Sequence, residues 1–469
     1  MLDRWNRPWP TALAGVAVVV VLVAGVASAV RLRPDGPRYP DAWDPRVADL
    51  AEFVARERRL DFDHAVFVDF LEEEAFRAKV VAGEEDLTVE DRVDLEEGAR
   101  LLRATGLVPG SFDLLESSNQ LTGEGVLAYY APMEERITVR GTELSPGLRA
   151  TLVHELTHAL QDQRFDLARL GQLPTDTANN AFRAVVEGDA LRVERAWSEQ
   201  LAPAERKALE AERVSEVDGA RVAGVPGALT AFFSAPYLLG PPFIDVVISE
   251  RDQAGLDQAL REPPTTEEQL LDPFAYLEGD QGLDVAAPAP AEGAPVLEEG
   301  DFGALTWFIV LAEHLDPRQA LAAVDGWGGD AYIVFERKGR ACLRSAFLGD
   351  DGAETDEMEA ALVAWAAEVP ATGASATRSG DTVVLESCDP GPDGGAPGGG
   401  AENAVVYPVT RTYLTLGALA GGVPTEKARC IGTAFVQALP VEEMLTLDAV
   451  LDDPEALAEQ SQRAAQSCA

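Results

Sequence analysis

His154-Glu155-Leu156-Thr157-His158 is the most informative stretch of this chain. Only four histidines occur in 469 residues, and two of them bracket this glutamate with a spacing of four. On an α-helix, residues four apart lie on one face, so both imidazoles can reach a single Zn²⁺ ion. A glutamate beside the first histidine can then take a proton from water next to the metal. The spacing therefore predicts a helix that carries part of a zinc site.

The residues around this stretch favour the helix that the chemistry requires. Ser145 and Pro146 are typical of an N-cap and of the first helical position. No further glycine or proline follows Gly147 before Gln163. An apolar stripe is predicted beside the histidines; it consists of Leu148, Leu152, Leu156, Ala159 and Leu160. The alternative is a surface helix whose two histidines are incidental.

Two histidines do not complete a zinc site, because a catalytic site takes three protein ligands and a structural site takes four. The other two histidines are distant in sequence, so a carboxylate is the expected third ligand. A second helix with an apolar face is predicted over roughly residues 176–201, and Glu187 lies within it. Glu187 is the preferred ligand. Asp189, Glu194 and an ordinary surface role for Glu187 are the alternatives.

These two segments resemble a known clan of enzymes. The His154–His158 motif, followed by the run Glu187-Gly188-Asp189-Ala190, is similar to the gluzincin clan of zinc metallopeptidases, the thermolysin-like group. Two stretches, 154–167 and 263–273, are more closely similar to a group of poorly characterised exported bacterial proteins of this kind. The second stretch reads Pro-Pro-Thr-Thr-Glu-Glu-Gln-Leu-Leu-Asp-Pro. The resemblance covers about residues 40–390, and only the two metal-helix segments are specific.

The resemblance implies a site and a reaction. His154, His158 and Glu187 would hold Zn²⁺. Glu155 would act as the general base in the attack of water on a peptide bond, so the substrate would be a peptide or a protein.

The chain departs from the gluzincin pattern at one position. Many gluzincins orient a histidine ligand with an aspartate four residues after the third ligand, and here that residue is Leu191. Support for the histidines must then come from elsewhere. Asp162, one turn after His158, is a candidate, with a solvated surface role as the preferred alternative.

Gluzincins usually add a tyrosine or histidine that stabilises the developing oxyanion. Tyr237, Tyr276 and His314 are available for that role, although a structural role is the preferred interpretation for each. His64, beside the strand-like run 65–70, is also predicted to be structural.

A hairpin is predicted just before the metal helix. The segments 126–131 and 136–140 are rich in strand-forming residues, and 132–135 is typical of the turn between them. In the resembled clan, an edge strand at this place pairs with the extended substrate backbone. Any hairpin packed on the helix would give the same pattern.

The N-terminal segment predicts export. Arg4 and Arg7 precede an uncharged run of twenty residues, Thr11–Val30, which is long enough to span a bilayer. The same run contains Ala27-Ser28-Ala29, a pattern typical of signal-peptide cleavage. Residues 1–35 are therefore a signal peptide or a membrane anchor, and the protein would be secreted or held at the cell membrane by this segment.

Export provides a role for the cysteines. All four lie in the last third of the chain, and an even number in an oxidising compartment predicts two disulfides. Four cysteines allow three connectivities. The preferred pairs are Cys342–Cys388, which would link two predicted strands, and Cys430–Cys468, which would tie together the final helices.

The pattern of elements predicts an α+β fold in several parts. Residues 41–283 form a mainly helical, gluzincin-like catalytic domain with a small sheet. An α+β domain is expected over 296–390, and a small helical region over 403–469. The Pro- and Gly-rich stretches between them are typical of linkers.

The charge argues against nucleic acid and anionic lipid as partners. The chain has 80 acidic residues against 38 lysines and arginines, a net charge of −42. Such a surface repels nucleic acid and anionic lipid. A solvated acidic surface is the preferred explanation, with salt tolerance and calcium binding as alternatives.

Three functions fit these patterns. The first is a cell-envelope zinc metallopeptidase. The second is a binding or scaffold protein that keeps a gluzincin fold without turnover, although the intact Glu155 argues against it. The third is a surface interaction protein whose C-terminal disulfide region does the work while the metal is structural.

Overall fold

The computed structural model describes residues 39–83, 87–220, 224–290, 293–395, 397–439, 441–444 and 454–468. The α-helices are, in chain order, α1 (Ala48–Arg58), α2 (Glu73–Val80), α3 (Val89–Ala104), α4 (Leu114–Gly125), α5 (Pro146–Phe165), α6 (Asp176–Glu199), α7 (Pro203–Ala220), α8 (Gly227–Arg261), α9 (Glu268–Leu271), α10 (Pro273–Glu278), α11 (Gly303–Ala312), α12 (Pro317–Val324), α13 (Gly352–Glu368), α14 (Val406–Ala420), α15 (Thr425–Ala438), α16 (Val441–Met444) and α17 (Pro454–Ser467). The strands are β1 (Phe67–Leu71), β2 (Ala128–Ala131), β3 (Arg136–Arg140), β4 (Val296–Gly300), β5 (Trp327–Arg337), β6 (Arg340–Gly349), β7 (Thr372–Ser379) and β8 (Thr382–Cys388).

The fold is mixed α+β, with two small sheets in the part of the chain that the structure describes. The chain forms two compact units. Unit 1 consists of the described residues up to Ala99, Asp113–Pro174 and Val186–Val225. Unit 2 consists of Arg100–Phe112, Thr175–Val185 and the described residues from Pro226 onward. The predicted domain boundaries stay predictions.

The sheet of unit 1 has the order β1-β3-β2. The predicted hairpin is confirmed: β2 and β3 are antiparallel, and a short 3₁₀ turn, Pro132–Glu134, connects them. Glu135 closes the turn with a φ of 47°. β1 runs parallel to β3, with Val68 opposite Ile137. β2 therefore lies at the edge of this sheet.

Helix α5 begins where its N-cap predicts. Ser145 Oγ accepts a hydrogen bond from the Leu148 N–H at 3.2 Å, and Pro146 occupies the first turn. Glu212 of α7 reinforces this end, because its carboxylate accepts bonds from Ser145 Oγ and the Gly147 N–H, both at 2.7 Å. These contacts satisfy backbone N–H groups that a helix start leaves without partners.

The apolar side of α5 lies in the core of unit 1. Leu152, Val153, Leu156 and Ala159 are fully buried in it. Burying one leucine or valine side chain stabilises a fold by about 1.5–3 kcal/mol. This packing therefore fixes which side of α5 faces the core, and so the direction in which the histidines point.

The sheet of unit 2 has the order β4-β5-β6-β8-β7, and every pair in it is antiparallel. The residue patterns of the sequence predict strands near 331–336 and 341–348, a helix at 355–367 and a strand pair over 376–388. The structure has β5, β6, α13 and the β7–β8 hairpin at these places. β4 was not predicted, because Val-Leu-Glu-Glu-Gly has no apolar alternation. It is an edge strand held by pairing with β5.

Both predicted disulfides are present in unit 2. Cys342 and Cys388 lie directly opposite one another on β6 and β8. Cys430 on α15 is joined to Cys468 at the end of α17. Two disulfides favour an oxidising, extracytoplasmic environment.

One helix among the described residues, α8, is long and apolar enough to cross a membrane by length and composition. However, 56% of its apolar window is buried inside the protein. Fully buried residues such as Phe243, Ile244 and Val247 are typical of a core helix. α8 is therefore weak support for a membrane anchor. The anchor or signal peptide predicted at 1–35 lies outside the described residues.

Candidate metal centre

The structure brings together the three predicted ligands in unit 1. One donor atom each of His154, His158 and Glu187 lies within 4.8 Å of the other two. Glu187 Oε2 is 3.1 Å from His154 Nε2 and 3.4 Å from His158 Nε2. Neighbouring ligand atoms in a tetrahedral zinc site are about 3.3 Å apart, given metal–ligand distances of about 2.0–2.2 Å. The spacing and the donor set therefore both fit Zn²⁺.

Gln161, on the next turn of α5, fixes the tautomer of His158. Gln161 Nε2 donates to the Val186 carbonyl at 3.0 Å and to Asp189 Oδ2 at 2.9 Å. Its Oε1 must then be an acceptor, and it lies 2.9 Å from His158 Nδ1. His158 Nδ1 therefore carries a proton. Nε2 of His158 is the nitrogen that faces Glu187, and it is the one available to a metal.

Glu194 performs the same task for His154. Glu194 Oε2 lies 3.4 Å from His154 Nδ1, while His154 Nε2 faces Glu187. Glu194 is nearly buried, and it also pairs with Arg213. A carboxylate behind a histidine ligand fixes the direction of the ring and increases its basicity. The alternative in which Glu194 binds the metal itself is not the arrangement observed.

Asp189 anchors this network in the core. Its side chain is fully buried, and Arg58 Nε donates to its Oδ2 at 2.8 Å from α1. The same oxygen receives the Gln161 amide. Asp189 is therefore a support for Gln161, and its predicted alternative role as a ligand is not observed.

Glu155 lies beside the three donors. It is buried, and the backbone N–H of Tyr130 on the edge strand β2 faces its carboxylate and favours the charged form. Burial raises the pKa of Glu155 above its ordinary value, while the nearby His158 and His154 act against that shift. A carboxylate with a raised pKa is a better proton acceptor near neutral pH.

Each donor shifts the pKa of its neighbours. Burial acts to lower the pKa of His154, but hydrogen bonds to Glu187 and Glu194 outweigh it, and the pKa lies well above its usual value. For Glu187, burial acts to raise the pKa, yet the two histidines hold it well below its usual value. Binding of a cation must therefore displace a proton from His154.

Two other predicted residues have structural contacts within unit 1. Asp162 does not orient a histidine among the described contacts; it accepts bonds from the Tyr130 hydroxyl at 2.8 Å and from the Leu167 N–H at 2.9 Å. It is thus neither the orienting residue nor simply solvated. His64 stacks on Tyr39 with ring centroids 4.0 Å apart. His64 also pairs with Glu135 at 3.2 Å, which agrees with a structural role.

The candidates for oxyanion stabilisation all belong to unit 2. The Tyr276 hydroxyl donates to the Glu262 carbonyl at 3.2 Å, and His314 Nε2 lies 2.9 Å from the Gly106 carbonyl. Tyr237 makes a tilted ring contact with Phe233. Each of these contacts is structural, and the oxyanion role stays a prediction for all three.

The sequence interpretation missed three supporting residues. Gln161 and Glu194 stand three and seven residues after His158 and Glu187, spacings that return to the same helix face. That periodicity was a usable signal. No pattern in the sequence indicated the role of Arg58, because 131 residues separate it from Asp189.

Comparison of the chain with protein-family models, with curated proteins and with solved structures found no match in any of the three. The function must therefore be inferred from the geometry of the residues.

Proposed function

We propose that this chain is an exported zinc metallopeptidase, which hydrolyses peptide bonds in a peptide or protein substrate. The observation that carries the proposal is the orientation of three donors toward one point, with both histidine Nδ1 atoms engaged by Gln161 and Glu194. A pair of incidental surface histidines would have no reason to be held in this way. The two disulfides support export.

His154, His158 and Glu187 would hold the metal, and the remaining position of a three-ligand site would be open to water or substrate. Bound zinc supplies polarisation of the substrate carbonyl and lowers the pKa of water. Glu155 takes the proton from the attacking water and passes it to the leaving amine. The backbone N–H of Tyr130 faces this carboxylate and favours its charged form, which is the form that accepts the proton.

The edge position of β2 supports an extended substrate. Since β3 covers only one side of β2, the other edge presents backbone N–H and C=O groups that a peptide strand can pair with. Tyr130 connects this edge to the Glu155 carboxylate through its own N–H. A peptide bound there would run past the general base.

The test uses the full-length protein, its Glu155→Gln variant and a Glu199→Gln control. Glu199 is exposed at the end of α6. Zinc content is measured by mass spectrometry, and cleavage is measured with an unfolded protein substrate. We expect one zinc ion per chain in all three proteins. Cleavage should fall at least about 100-fold in Glu155→Gln and stay unchanged in the control.

Three results would count against the proposal in different ways. If wild type binds no zinc, the site is wrong. If Glu155→Gln cleaves as well as wild type, another residue is the base. If zinc binds and wild type cleaves nothing, the non-catalytic binding or scaffold protein becomes the better account.

A further inference from the structure

A second cluster of carboxylates lies in unit 2, around a cavity of about 330 Å³. Seven carboxylates and two guanidinium groups line this cavity, an imbalance that the local cations do not neutralise. The carboxylates belong to Glu268, Asp272, Glu278, Asp280, Asp325, Asp350 and Glu354, and the guanidinium groups belong to Arg411 and Arg429. We call it the acidic cavity.

Both arginines form ion pairs with carboxylates of the acidic cavity. Arg411 Nη1 contacts both oxygens of Asp325 at 2.8 and 2.6 Å. Arg429 pairs with Asp272 at 2.5 Å and with Glu278 at 2.9 Å. Three carboxylates in the acidic cavity are thus paired.

A fourth carboxylate has a structural task. Glu354 completes a capping box, because its side chain accepts from the Asp351 N–H at 3.1 Å. Glu268, Asp280 and Asp350 remain in the acidic cavity without an arginine partner among the described residues.

Glu268 is the decisive residue. Only 8% of it is exposed, and its side chain accepts no hydrogen bond from the residues that the structure describes. Arg411, which also attracts Glu268, forms its ion pair with Asp325. One of its oxygens lies within 4.8 Å of a carboxylate oxygen of Asp280 and of Asp350. A buried carboxylate without a partner is unfavourable, so a group that compensates it is expected. Burial and the surrounding carboxylates raise the pKa of Glu268 to about 9.

We propose that Glu268, Asp280 and Asp350 bind one hard divalent cation, of which Ca²⁺ is the best fit. All three donors are oxygens, which Ca²⁺ and Mg²⁺ prefer over nitrogen or sulfur. Ca²⁺ takes six to eight oxygen ligands at about 2.3–2.6 Å in a flexible arrangement, which suits three carboxylates supplemented by water, whereas Mg²⁺ demands near-ideal octahedral geometry at about 2.0–2.1 Å. The partly exposed Asp280 and exposed Asp350 leave room for water to complete the coordination.

The site also gives a role to the stretch 263–273, which the proposed peptidase chemistry does not use. Glu267 turns inward, where its carboxylate accepts bonds from the Asn180 amide at 2.7 Å and the Leu305 N–H at 3.1 Å. Glu268 enters the acidic cavity, and Asp272 caps α10 and pairs with Arg429. One short segment therefore supplies a cation ligand beside two structural carboxylates.

The test measures binding of CaCl₂ to full-length, zinc-saturated protein by calorimetry in physiological salt, with MgCl₂ in parallel. The variants are Glu268→Gln and Asp350→Asn. Glu278→Gln is the matched control, because it removes a carboxylate from the same cavity that is paired with Arg429. We expect one Ca²⁺ per wild-type chain and an affinity at least about tenfold weaker in the two ligand variants. The control should stay within about twofold of wild type.

Thermal unfolding provides a second measurement. Ca²⁺ should raise the melting temperature of wild type and of Glu278→Gln but not that of Glu268→Gln. If Glu268→Gln does not fold, the exposed Asp350→Asn decides the matter. The proposal is overturned if wild type binds neither ion at about 10 mM, or if both ligand variants bind like wild type. In that case Glu268 is simply a buried, protonated acid. His158→Ala should keep Ca²⁺ binding, which separates this outcome from any failure of the zinc site.

Discussion

Gln161 Oε1 lies 2.9 Å from His158 Nδ1, and this contact determines which nitrogen of the histidine is free for a metal. The direction of the Gln161 amide is not arbitrary, because its nitrogen donates to the Val186 carbonyl and to the buried carboxylate of Asp189. Asp189 is held in turn by Arg58. The orientation of one zinc ligand therefore depends on a chain of polar contacts that reaches α1.

Replacing Gln161 with leucine should weaken zinc binding by about 10–100-fold, because His158 loses the acceptor that orients its ring. Zinc affinity is measured by competition with a fluorescent chelator. Gln163→Leu is the control, since Gln163 is on the same helix but contacts His64 and the Asp63 backbone. Equal affinities for Gln161→Leu and wild type would show that the orienting contact is dispensable.

Replacing Arg58 with methionine should destabilise unit 1 by about 3–5 kcal/mol, because the fully buried Asp189 loses its closest ion-pair partner and keeps only the longer contact to Arg192 at 3.5 Å. Chemical denaturation followed by tryptophan fluorescence measures the change. Arg149→Met, which breaks the exposed pair with Asp49, is the control and should cost less than about 1 kcal/mol. A similar loss in both variants would mean that burial does not strengthen the Arg58–Asp189 pair.

The stability of unit 2 should fall as the pH rises from about 5 to about 8. Burial raises the pKa of Glu267 from 4.5 to about 8 in the folded protein. Between these values the folded state holds a proton that the unfolded state has released, so raising the pH favours unfolding. Each unit of pKa difference corresponds to about 1.4 kcal/mol.

Glu267→Gln removes this titration, and its melting temperature should change less with pH than that of wild type. Glu278→Gln, which removes an exposed carboxylate, is the control and should follow wild type. Differential scanning calorimetry from pH 5 to pH 9 makes the comparison. Identical slopes for wild type and Glu267→Gln would contradict the raised pKa.

Local patterns in the sequence were enough to predict helix α5 and the two histidines that it carries. The Ser145 cap and the spacing of His154 and His158 are local patterns that act over three or four residues. The choice of Glu187 depended instead on the need for a third ligand and on the resemblance to gluzincins. The β2–β3 hairpin was also predictable, because strand-forming residues flank a short turn. The two disulfides followed from the predicted strands and helices that carry the cysteines.

Only the tertiary structure decided which polar groups meet across long separations. Arg58 reaches Asp189 over 131 residues, and Glu268 meets Asp350 in the acidic cavity although they come from different elements. The periodicity of a helix or strand does not predict such pairs. They form only when separate elements pack and water is excluded around them. The sequence by itself therefore determined which residues could bind a metal. Packing decided how the histidines are oriented and which carboxylates were left without a partner.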